Sequence, residues 1–395
     1  MIILEKPYVS DFLLQTVRDL GVAVLDNSTA RRLGVSDRQL RDEKTFIQAF
    51  ERGTEFPLYI NSEDAIPWIH AHLGFSRLPG RLDLFKDKAK FRDLLKPLYP
   101  DFWYNVVLAE ELAGLDINAL PLPLILKPVT GFLSLGVFKI SNSQEWAGAI
   151  DEIDGLIKRV RRQYPAEVVN FRKFLIERYV QGEEYAIDAY FNASGRPVIL
   201  NILQHEFATA ADVRDRLYYT SKGIIQGNLT RFQHFLDRIG ELTPLENLPL
   251  HIEVRVTPTG EIYPIEFNPM RFAGWCTTDI ASYAYGINVY EYFWQDKEPN
   301  WSECLDGKEG KVYSIVVGDV PKEQRQEEMT GIDYEGFASR FSKVLALRKL
   351  DYREYGLFAF AFIETGENRR QELDWVQHTD YREFMIHNEP RFGQK

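Results

Sequence analysis

The chain has 395 residues, which is enough for two to three domains of ordinary size and excludes a single small module. Its 45% hydrophobic and 27% charged residues are typical of a folded globular protein, and its net charge of −11 argues against a nucleic-acid backbone or an anionic membrane surface as the main partner. Two cysteines are too few for a disulfide framework or a thiolate zinc site, which suits a reducing compartment.

The beginning of the chain lacks the apolar core of a secretory signal, because charge appears at Glu5 after only four residues. No segment approaches the roughly 18 uncharged apolar residues of a membrane span. The apolar run 128–138, for example, is bounded by Lys127 and Lys139. We therefore expect a cytoplasmic protein without a membrane helix.

Residues 1–110 begin with a β-α-β pattern. A strand-like run over Ile2–Leu4 is followed by an amphipathic helical run over 12–20, which ends at Gly21, and then by a second apolar run over 22–25. Two further helices are predicted, over 61–73 and 86–97. These elements predict a small N-terminal α/β domain.

Short apolar strands around one helix are predicted next. The helix has Ser141 and Gln144 in the spacing of a capping box. The predicted strands are 122–127, 137–140, 174–179 and 185–191, with further strands after 195 and a late helix near 278–294. From residue 311 we predict strands at 312–317, 344–347 and 356–363 and helices near 334–343 and 371–385, an α/β unit to which the sequence assigns no chemistry.

A polar and an apolar face separate along the hairpin predicted over 251–268. If Thr259 and Gly260 form a two-residue turn, Glu253 pairs with Glu266. One face then carries Ile252, Val254, Val256, Tyr263, Ile265 and Phe267, and the other carries His251, Glu253, Arg255, Glu266 and Asn268.

Two carboxylates directly opposite each other destabilise a sheet unless a cation compensates them. Glu253, Glu266 and the amide oxygen of Asn268 are hard oxygen ligands that suit Mg²⁺, which completes its coordination with water and substrate phosphates. Mn²⁺ is the second candidate. The alternative is that Arg255 and other cations pair these acids on a solvated face.

A lysine and a glycine-containing loop form the second candidate segment. Lys127 ends a predicted strand and precedes a loop with Gly131, Ser134 and Gly136. Glycines let backbone N–H groups approach phosphate oxygens, and the lysine adds positive charge. The loop is not of the Walker A type, because no Lys-Ser or Lys-Thr follows Gly136. An ordinary hairpin without a ligand is the alternative.

A strand, a turn at Gln181 and Gly182, and a second strand form the third segment. Glu184 can accept hydrogen bonds from two vicinal ribose hydroxyls, and the backbone from Glu177 to Val180 can bind the edge of an adenine ring. Ordinary surface charge is the alternative.

In this order the three segments resemble the ATP-grasp superfamily over residues 85–295. In that family a lysine precedes a mobile glycine-rich loop, as Lys127 precedes Gly131 to Gly136 here. A hinge glutamate seven residues before the ribose glutamate resembles the pair Glu177 and Glu184.

The two metal-binding acids of the family, with an asparagine two residues later, are similar to Glu253, Glu266 and Asn268. An earlier lysine that contacts phosphate is similar to Lys88. Many members place an arginine two residues after the asparagine, whereas Arg271 stands three residues after it here. Arg255 and Arg271 are therefore both candidates for stabilising the transition state.

The resemblance implies an α/β fold with two α+β lobes that grip ATP. An N-terminal α/β domain over residues 1–110 would precede the ATP-grasp domain over 111–300, and the C-terminal α/β unit would be appended over 301–395. ATP and Mg²⁺ are the implied cofactors.

The implied function is that of an ATP-dependent ligase, which activates a carboxylate as an acyl phosphate and joins it to an amine or thiol, releasing ADP and phosphate. Two alternatives are an ATP-grasp kinase that phosphorylates a small molecule and a nucleotide-binding regulatory protein without turnover. The expected partners are small carboxylate and amine substrates, without nucleic acid or membrane, and a homodimer stays open.

The remaining candidates are less specific. His70 and His72 lack an acidic third ligand, so we predict a structural role. His251 is either an acid–base group or a hydrogen-bonded structural histidine, and Cys276 is predicted to pack in the core. The stretch 205–222, rich in Arg, Tyr and Lys, is either an anion-binding segment or a solvated loop.

Overall fold

The computed structural model describes residues 1–51, 57–131, 136–160, 170–207, 215–321, 324 and 328–387. The described residues form four sheets of mixed α/β architecture. The fold class is therefore the expected one. Among these residues, no helix has the length and apolar character needed to cross a bilayer.

The N-terminal sheet is parallel, with strand order β3-β2-β1-β4. Helix α1 begins because the hydroxyl of Ser10 accepts a hydrogen bond from the backbone N–H of Leu13, and it buries Leu13, Leu14 and Val17 against the sheet. The predicted β-α-β opening is confirmed. The elements are β1 Ile2–Ile3, α1 Asp11–Asp19, β2 Val24–Leu25, α2 Ser28–Arg32, β3 Leu40–Arg41, α3 Glu43–Glu51 and β4 Tyr59–Ile60.

Three helices follow: α4 Ile66–His72, α5 Leu78–Lys86 and α6 Lys88–Leu95. Asp87 separates α5 from α6, and its carboxylate caps α6 by accepting from the N–H groups of Ala89 and Lys90. The helix predicted over 86–97 is wrong at its start, because Lys86 belongs to α5 and α6 begins at Lys88. The break places Lys86 at the end of one helix and Lys88 at the beginning of the next.

The smaller antiparallel sheet has the order β5-β8-β6-β7 and packs against one helix. That helix is capped by Asn142 and Glu145, one residue later than the predicted pair Ser141 and Gln144. Lys127 lies inside β6 rather than at its end. The elements are β5 Tyr104–Leu108, β6 Leu124–Thr130, β7 Phe138–Ile140, α7 Ser143–Val160 and β8 Asn170–Arg178.

The large sheet has eight antiparallel strands in the order β13-β12-β9-β10-β11-β14-β17-β16, so strands after residue 311 continue the sheet that carries the predicted hairpin. Its elements and their connections are β9 Glu183–Phe191, β10 Pro197–His205, β11 Leu217–Ser221, α8 Lys222–Leu242, β12 Leu248–Val256, β13 Ile262–Pro269, α9 Ile280–Tyr285, α10 Val289–Trp294, α11 Trp301–Cys304, β14 Lys311–Asp319, β15 Met329–Ile332, α12 Tyr334–Ala338, β16 Val344–Lys349, α13 Tyr352–Tyr355, β17 Leu357–Gly366, α14 Arg370–His378 and β18 Met385–His387. Strands β15 and β18 form a separate pair.

Several helices of this half differ from the prediction. The 21-residue helix α8 was not predicted, although Ser221 caps it and Phe232, Leu236 and Ile239 are buried at helical spacing. The helix predicted over 278–294 is two helices, because Gly286 ends α9 in a left-handed conformation with φ of 71°. Helix α12 is shorter than predicted.

The hairpin of β12 and β13 pairs Glu253 with Glu266, as predicted. Its turn differs, because β12 and β13 are joined by five residues, 257–261, and not by Thr259 and Gly260 alone. A bulge follows Glu253 in the direction of the turn. From Val254 onward, each residue of β12 therefore pairs one position earlier in β13 than predicted.

The bulge changes which β13 residues face the core. Pro264 pairs with Val254 and is buried, whereas Ile265, predicted to be a core residue, is only half-buried. Tyr263 pairs with Arg255, and it contacts Tyr99 rather than the predicted core face. The predicted core positions Ile252, Val254, Val256 and Phe267 are buried.

We predict that Gly182→Ala destabilises the fold. An added Cβ would lie 2.3 Å from the carbonyl oxygen of Val256, so the backbone would have to shift. The expected loss in the free energy of unfolding is about 1–3 kcal/mol, measured by urea denaturation. Gly148→Ala is the matched control: nothing lies within 4 Å of its Cβ, and in this exposed helical position the change should stabilise by about 0.5–1 kcal/mol. Equal effects of both variants would contradict the contact.

Candidate functional site

The predicted site residues of β9, β12 and β13 lie on one face of the large sheet, which we call the polar face. Paired residues of neighbouring strands point to the same side, and side chains alternate along each strand. The polar face therefore consists of three successive rows: Glu184–Arg255–Tyr263, Ala186–Glu253–Glu266 and Asp188–His251–Asn268.

Two lysines at the break between α5 and α6, Lys86 and Lys88, reach this face, and we call them the lysine cluster. The Nζ of Lys88 lies 3.3 Å from Glu266 Oε1 and 3.3 Å from the carbonyl oxygen of Gly131. The Nζ of Lys86 lies 3.3 Å from Asn268 Oδ1 and 3.9 Å from Glu266 Oε1. Burial raises the pKa of Glu266, but Lys88 and Lys86 outweigh it, so the pKa of this carboxyl is lowered.

Glu253 has the opposite electrostatic environment. Burial and the charges of Glu266, Glu184 and Asp215 raise its pKa well above the ordinary value. Among the described residues, its only basic neighbour within 4.0 Å is His251, whose Nε2 lies 3.7 Å from Glu253 Oε1. This carboxyl therefore favours either a bound proton or an added cation.

The donor set fits a hard divalent cation. Glu253, Glu266 and Asn268 present only oxygen atoms, and the raised pKa of Glu253 reflects negative charge that a cation would compensate. The described residues contain no group of three or more His, Cys, Asp or Glu side chains placed to hold a metal ion. A cation here would need further oxygen ligands from substrate or water.

A buried ion triad lies beside the polar face. Glu177 accepts from Arg92 Nε at 2.7 Å through one carboxylate oxygen, and its other oxygen lies 2.6 Å from Lys127 Nζ. Burial raises the pKa of Glu177, but the charges of Arg92 and Lys127 outweigh burial and lower this pKa to about 2. Burial also lowers the pKa of Lys127. Lys127 is thus compensated by Glu177.

Of the predicted loop residues, Gly131 and Gly136 are described and Ser134 lies outside the described residues. Gly136 has a φ of 74°, and an added Cβ there would lie 2.8 Å from the ring of Phe171. Only glycine fits this backbone without a shift.

Glu184 is held from two sides. Its Oε1 lies 2.9 Å from His205 Nδ1, and its Oε2 accepts from Arg255 Nε at 2.9 Å. Arg255 also donates to the carbonyl oxygen of Val180 at 3.0 Å. The structure therefore places Arg255 at the predicted adenosine end, whereas we expected a group that acts on the phosphates.

Arg271 reaches the other end of the polar face. The additional residue before it, Met270, is buried and takes a left-handed conformation with φ of 67°. Arg271 then pairs with Glu63 at 2.8 Å, and Glu63 also binds Lys86 at 2.7 Å. Burial raises the pKa of Glu63, but Lys86 and Arg271 lower it to about 2. Of the two predicted arginines, Arg271 is the one linked to the lysine cluster.

Sequence reasoning missed Glu63, Lys86, Arg92 and Asp188. Asp188 is fully buried and accepts from His251 Nδ1, from the N–H of Ala273 and from the Thr278 hydroxyl. Its signal was available, because it continues the alternation of Glu184 and Ala186 along β9. Glu63 lies in a short 3-10 helix after β4, and nothing in its local sequence points to the site.

A cavity of about 160 Å³ opens beside Lys86 and Glu63. Its other walls include Ile66, Leu82 and Thr130. A cavity of about 150 Å³ can hold a molecule the size of benzene, so this one is large enough for a small organic molecule next to the lysine cluster.

A family model described as an ATP-grasp domain matches residues 120–279. Residues 120–279 are therefore an ATP-grasp domain. The matched segment contains the three strands of the polar face, β9, β12 and β13, and the predicted nucleotide segments around Lys127 and Glu184. No curated protein matches the sequence.

Several solved structures share the fold at low identity. An L-amino acid ligase from Bacillus licheniformis has a TM-score of 0.65 and 16% identity, with 98% of each chain covered. An N5-carboxyaminoimidazole ribonucleotide synthetase from Thermotoga maritima has a TM-score of 0.64 and 14% identity, also with 98% of each chain covered. At this identity the likeness establishes the fold alone.

A third structure carries ligands. The biotin carboxylase domain of the Hydrogenobacter thermophilus 2-oxoglutarate carboxylase, in complex with MgADP and bicarbonate, has a TM-score of 0.60 and 12% identity, covering 98% of this chain and 95% of that one.

We predict that Glu177→Gln strongly destabilises the protein. The change leaves Lys127 and Arg92 buried without an anion, which should cost about 3–5 kcal/mol in the free energy of unfolding. Asp93→Asn is the control, because Asp93 pairs with Lys96 on the surface and exposed pairs contribute little. Equal urea midpoints for the two variants would contradict the role of the triad.

We also predict that wild-type stability falls as the pH drops from about 4.5 towards 2. The pKa of both Glu63 and Glu177 is lowered from 4.5 to about 2 in the folded state, so the unfolded chain binds more protons in this window. Urea denaturation across this range should show a steeper loss for the wild type than for Glu177→Gln. A flat profile for the wild type would contradict these ion pairs.

Proposed function

We propose that this protein is an ATP-dependent ligase that activates a substrate carboxylate as an acyl phosphate and joins it to an amine or thiol, releasing ADP and phosphate. The observation that carries the proposal is the polar face, where Glu253 and Glu266 are paired and, among the described residues, lysine compensates Glu266 but not Glu253. The ATP-grasp fold supports the same conclusion.

Adenosine binds at the hinge between β8 and β9 in this proposal. The backbone from Glu177 to Val180 meets the adenine edge, and Glu184 accepts from the ribose hydroxyls. Glu184 is already oriented by His205 and Arg255, so its carboxylate needs little rearrangement.

The phosphates extend from there towards the lysine cluster. Lys127 and Lys88 contribute positive charge, and the backbone at Gly131 and Gly136 approaches the phosphate oxygens. The contribution of Ser134 stays a prediction from the sequence. Lys88 now donates to Glu266 and to Gly131. Phosphate oxygens offer this ammonium a stronger acceptor than the carbonyl of Gly131.

Glu253, Glu266 and Asn268 would hold Mg²⁺. When bound, the cation neutralises phosphate charge during phosphoryl transfer. Arg271 stabilises charge on the transferring group and on the carboxylate that receives it. Glu63 holds Arg271 and Lys86 together, which fixes both cations before substrate arrives.

The names of the similar solved structures favour a ligase over a kinase. They include an amino acid ligase and a ribonucleotide synthetase. The cavity beside Lys86 provides space for a small carboxylate or amine.

We also propose a cytoplasmic location for the protein. That it forms a homodimer stays a prediction.

The experiment that tests the proposal is a screen of carboxylate and amine pairs for ADP release, with the product mass measured. A product whose mass equals the sum of the two substrate masses minus one water supports a ligase. A product that carries an added phosphoryl group would instead identify a kinase, and tight ATP binding without turnover for any pair would favour a regulatory protein.

We predict that Lys127→Ala and Glu184→Ala each weaken ATP binding at least about tenfold, since each removes one charged or bidentate contact. Calorimetric titration of folded variants with ATP measures this effect. Lys96→Ala, a surface lysine paired with Asp93, is the control. Unchanged affinity in both site variants would reject the proposed nucleotide site.

We predict that Glu266→Gln lowers kcat by about 100-fold or more while the protein stays folded, because the shape is kept but one charge of the cation site is lost. Glu261→Gln, in the exposed turn of the same hairpin, is the matched control and should keep activity. Full activity of Glu266→Gln would mean that the cation is held elsewhere.

A further inference from the structure

The segment after Asn268 contains an unusual backbone. We call residues 270–279 the arginine loop, because they include Arg271. Three of its residues that are not glycine have positive φ: Met270 at 67°, Trp275 at 56° and Cys276 at 54°. Such conformations persist only where surrounding contacts hold them, and they cluster at functional sites.

A side chain from the end of the large sheet holds this turn. Arg348, on β16, donates through Nη1 to the carbonyl oxygen of Cys276 at 2.9 Å, and its Nη2 pairs with the carboxylate of Asp279. The Arg348 side chain is 10% exposed and that of Asp279 is 1% exposed. One guanidinium thus bridges the strained turn and a buried acid.

Asp279 connects the same point to the N-terminal part of the chain. Its two carboxylate oxygens accept from Ser10 Oγ and from the Tyr290 hydroxyl, each at 2.7 Å. Ser10 is also the cap of α1. The arginine loop is therefore fastened to the N-terminal sheet region and to β16 through a single buried carboxylate.

Aromatic contacts enclose the turn from the same two directions. The Trp275 ring stacks against Tyr8 with centroids 6.4 Å apart. It meets Tyr355 edge-on at 4.9 Å and lies 5.8 Å from Phe360. These contacts fill the space around the turn, and Arg348 adds a side-chain hydrogen bond to the carbonyl of Cys276.

We propose that Arg348 is a positioning residue for the reaction. By holding the Trp275–Cys276 turn in its left-handed conformation, it keeps Arg271 at the other end of the loop aligned with the lysine cluster. Its effect on turnover rests on the function proposed above, whereas its effect on the loop does not. The role needs an arginine, because two donors in a fixed fork reach the carbonyl and the carboxylate at once.

The two cysteines provide a direct readout of the loop. Cys276 is 2% exposed, and burial raises the pKa of its thiol to about 11, so it should react slowly with a thiol reagent. In a Cys304→Ser background it is the sole thiol. The rate of labelling by the disulfide reagent DTNB then measures how often the turn opens.

We expect Arg348→Gln to accelerate labelling of Cys276 at least about tenfold, because the turn opens more often. Arg216→Gln is the matched control. Arg216 is also a buried arginine, and its partners in the described structure are Asp319, Thr379 and Tyr381, away from the loop. Labelling that stays at the parent rate, or that rises equally in the control, would overturn the proposal.

Turnover provides the second readout. Arg348→Gln should lower kcat about tenfold or more, while KM for ATP changes less than about threefold. Arg348→Lys should recover only part of kcat, since an ammonium cannot make both contacts. Faster labelling with unchanged kcat would reject the positioning role.

Failure of the proposed function is distinguishable from failure of this inference. If the parent protein turns over no substrate pair, the positioning role of Arg348 in turnover is rejected, while the labelling experiment still decides whether it holds the loop. If Arg348→Gln does not fold, Asp279→Asn replaces it. That variant removes the same ion pair and should accelerate labelling in the same direction.

Discussion

The structure depends on one electrostatic constraint, the pairing of Glu253 with Glu266 on the same face of a sheet. Register and alternation bring the two carboxylates together, and burial makes their repulsion costly. Lys88 and Lys86 compensate Glu266, whereas the basic side chain that lies within 4.0 Å of Glu253 among the described residues is the imidazole of His251. A further cation bound at Glu253 would relieve this repulsion.

The parts of the fold around this pair are arranged to supply charge at fixed distances. The break at Asp87 directs Lys86 and Lys88 to the acids, Glu63 joins Lys86 to Arg271, and Glu177 holds Lys127 beside Arg92. Each cation is thereby positioned without substrate, at the cost of pairing it with an anion. Preorganised charges of this kind are what phosphoryl transfer requires of a protein. The same eight-stranded sheet also carries Arg348 on β16, far along the chain from the hairpin, where it pairs with Asp279.

The sequence predicted the parts of the site that follow from local periodicity. Alternation along the hairpin was sufficient to pair Glu253 with Glu266, and a one-residue error in the turn did no harm because the bulge near Ile265 restored the register. Helix α8 was missed because Gly223, Gly227 and Gly240 interrupt a pattern that is otherwise helical. Glu63, Arg92 and Arg348 could not be predicted, since each reaches its partner from a distant element and depends on tertiary packing alone. For the same reason the sequence could not place Arg255 with Glu184 and Val180, although it named all three.

The central claim is that the polar face binds a nucleotide through a divalent cation at Glu253 and Glu266. The most direct measurement is a crystal structure of the protein with ADP and Mn²⁺, in which anomalous scattering locates the metal. The account predicts a manganese peak within about 2.2 Å of carboxylate oxygens of Glu253 and Glu266, with the adenine at Val180 and the Nζ of Lys88 turned from Glu266 to phosphate. A nucleotide bound away from this face, or a manganese ion that contacts neither carboxylate, would contradict it.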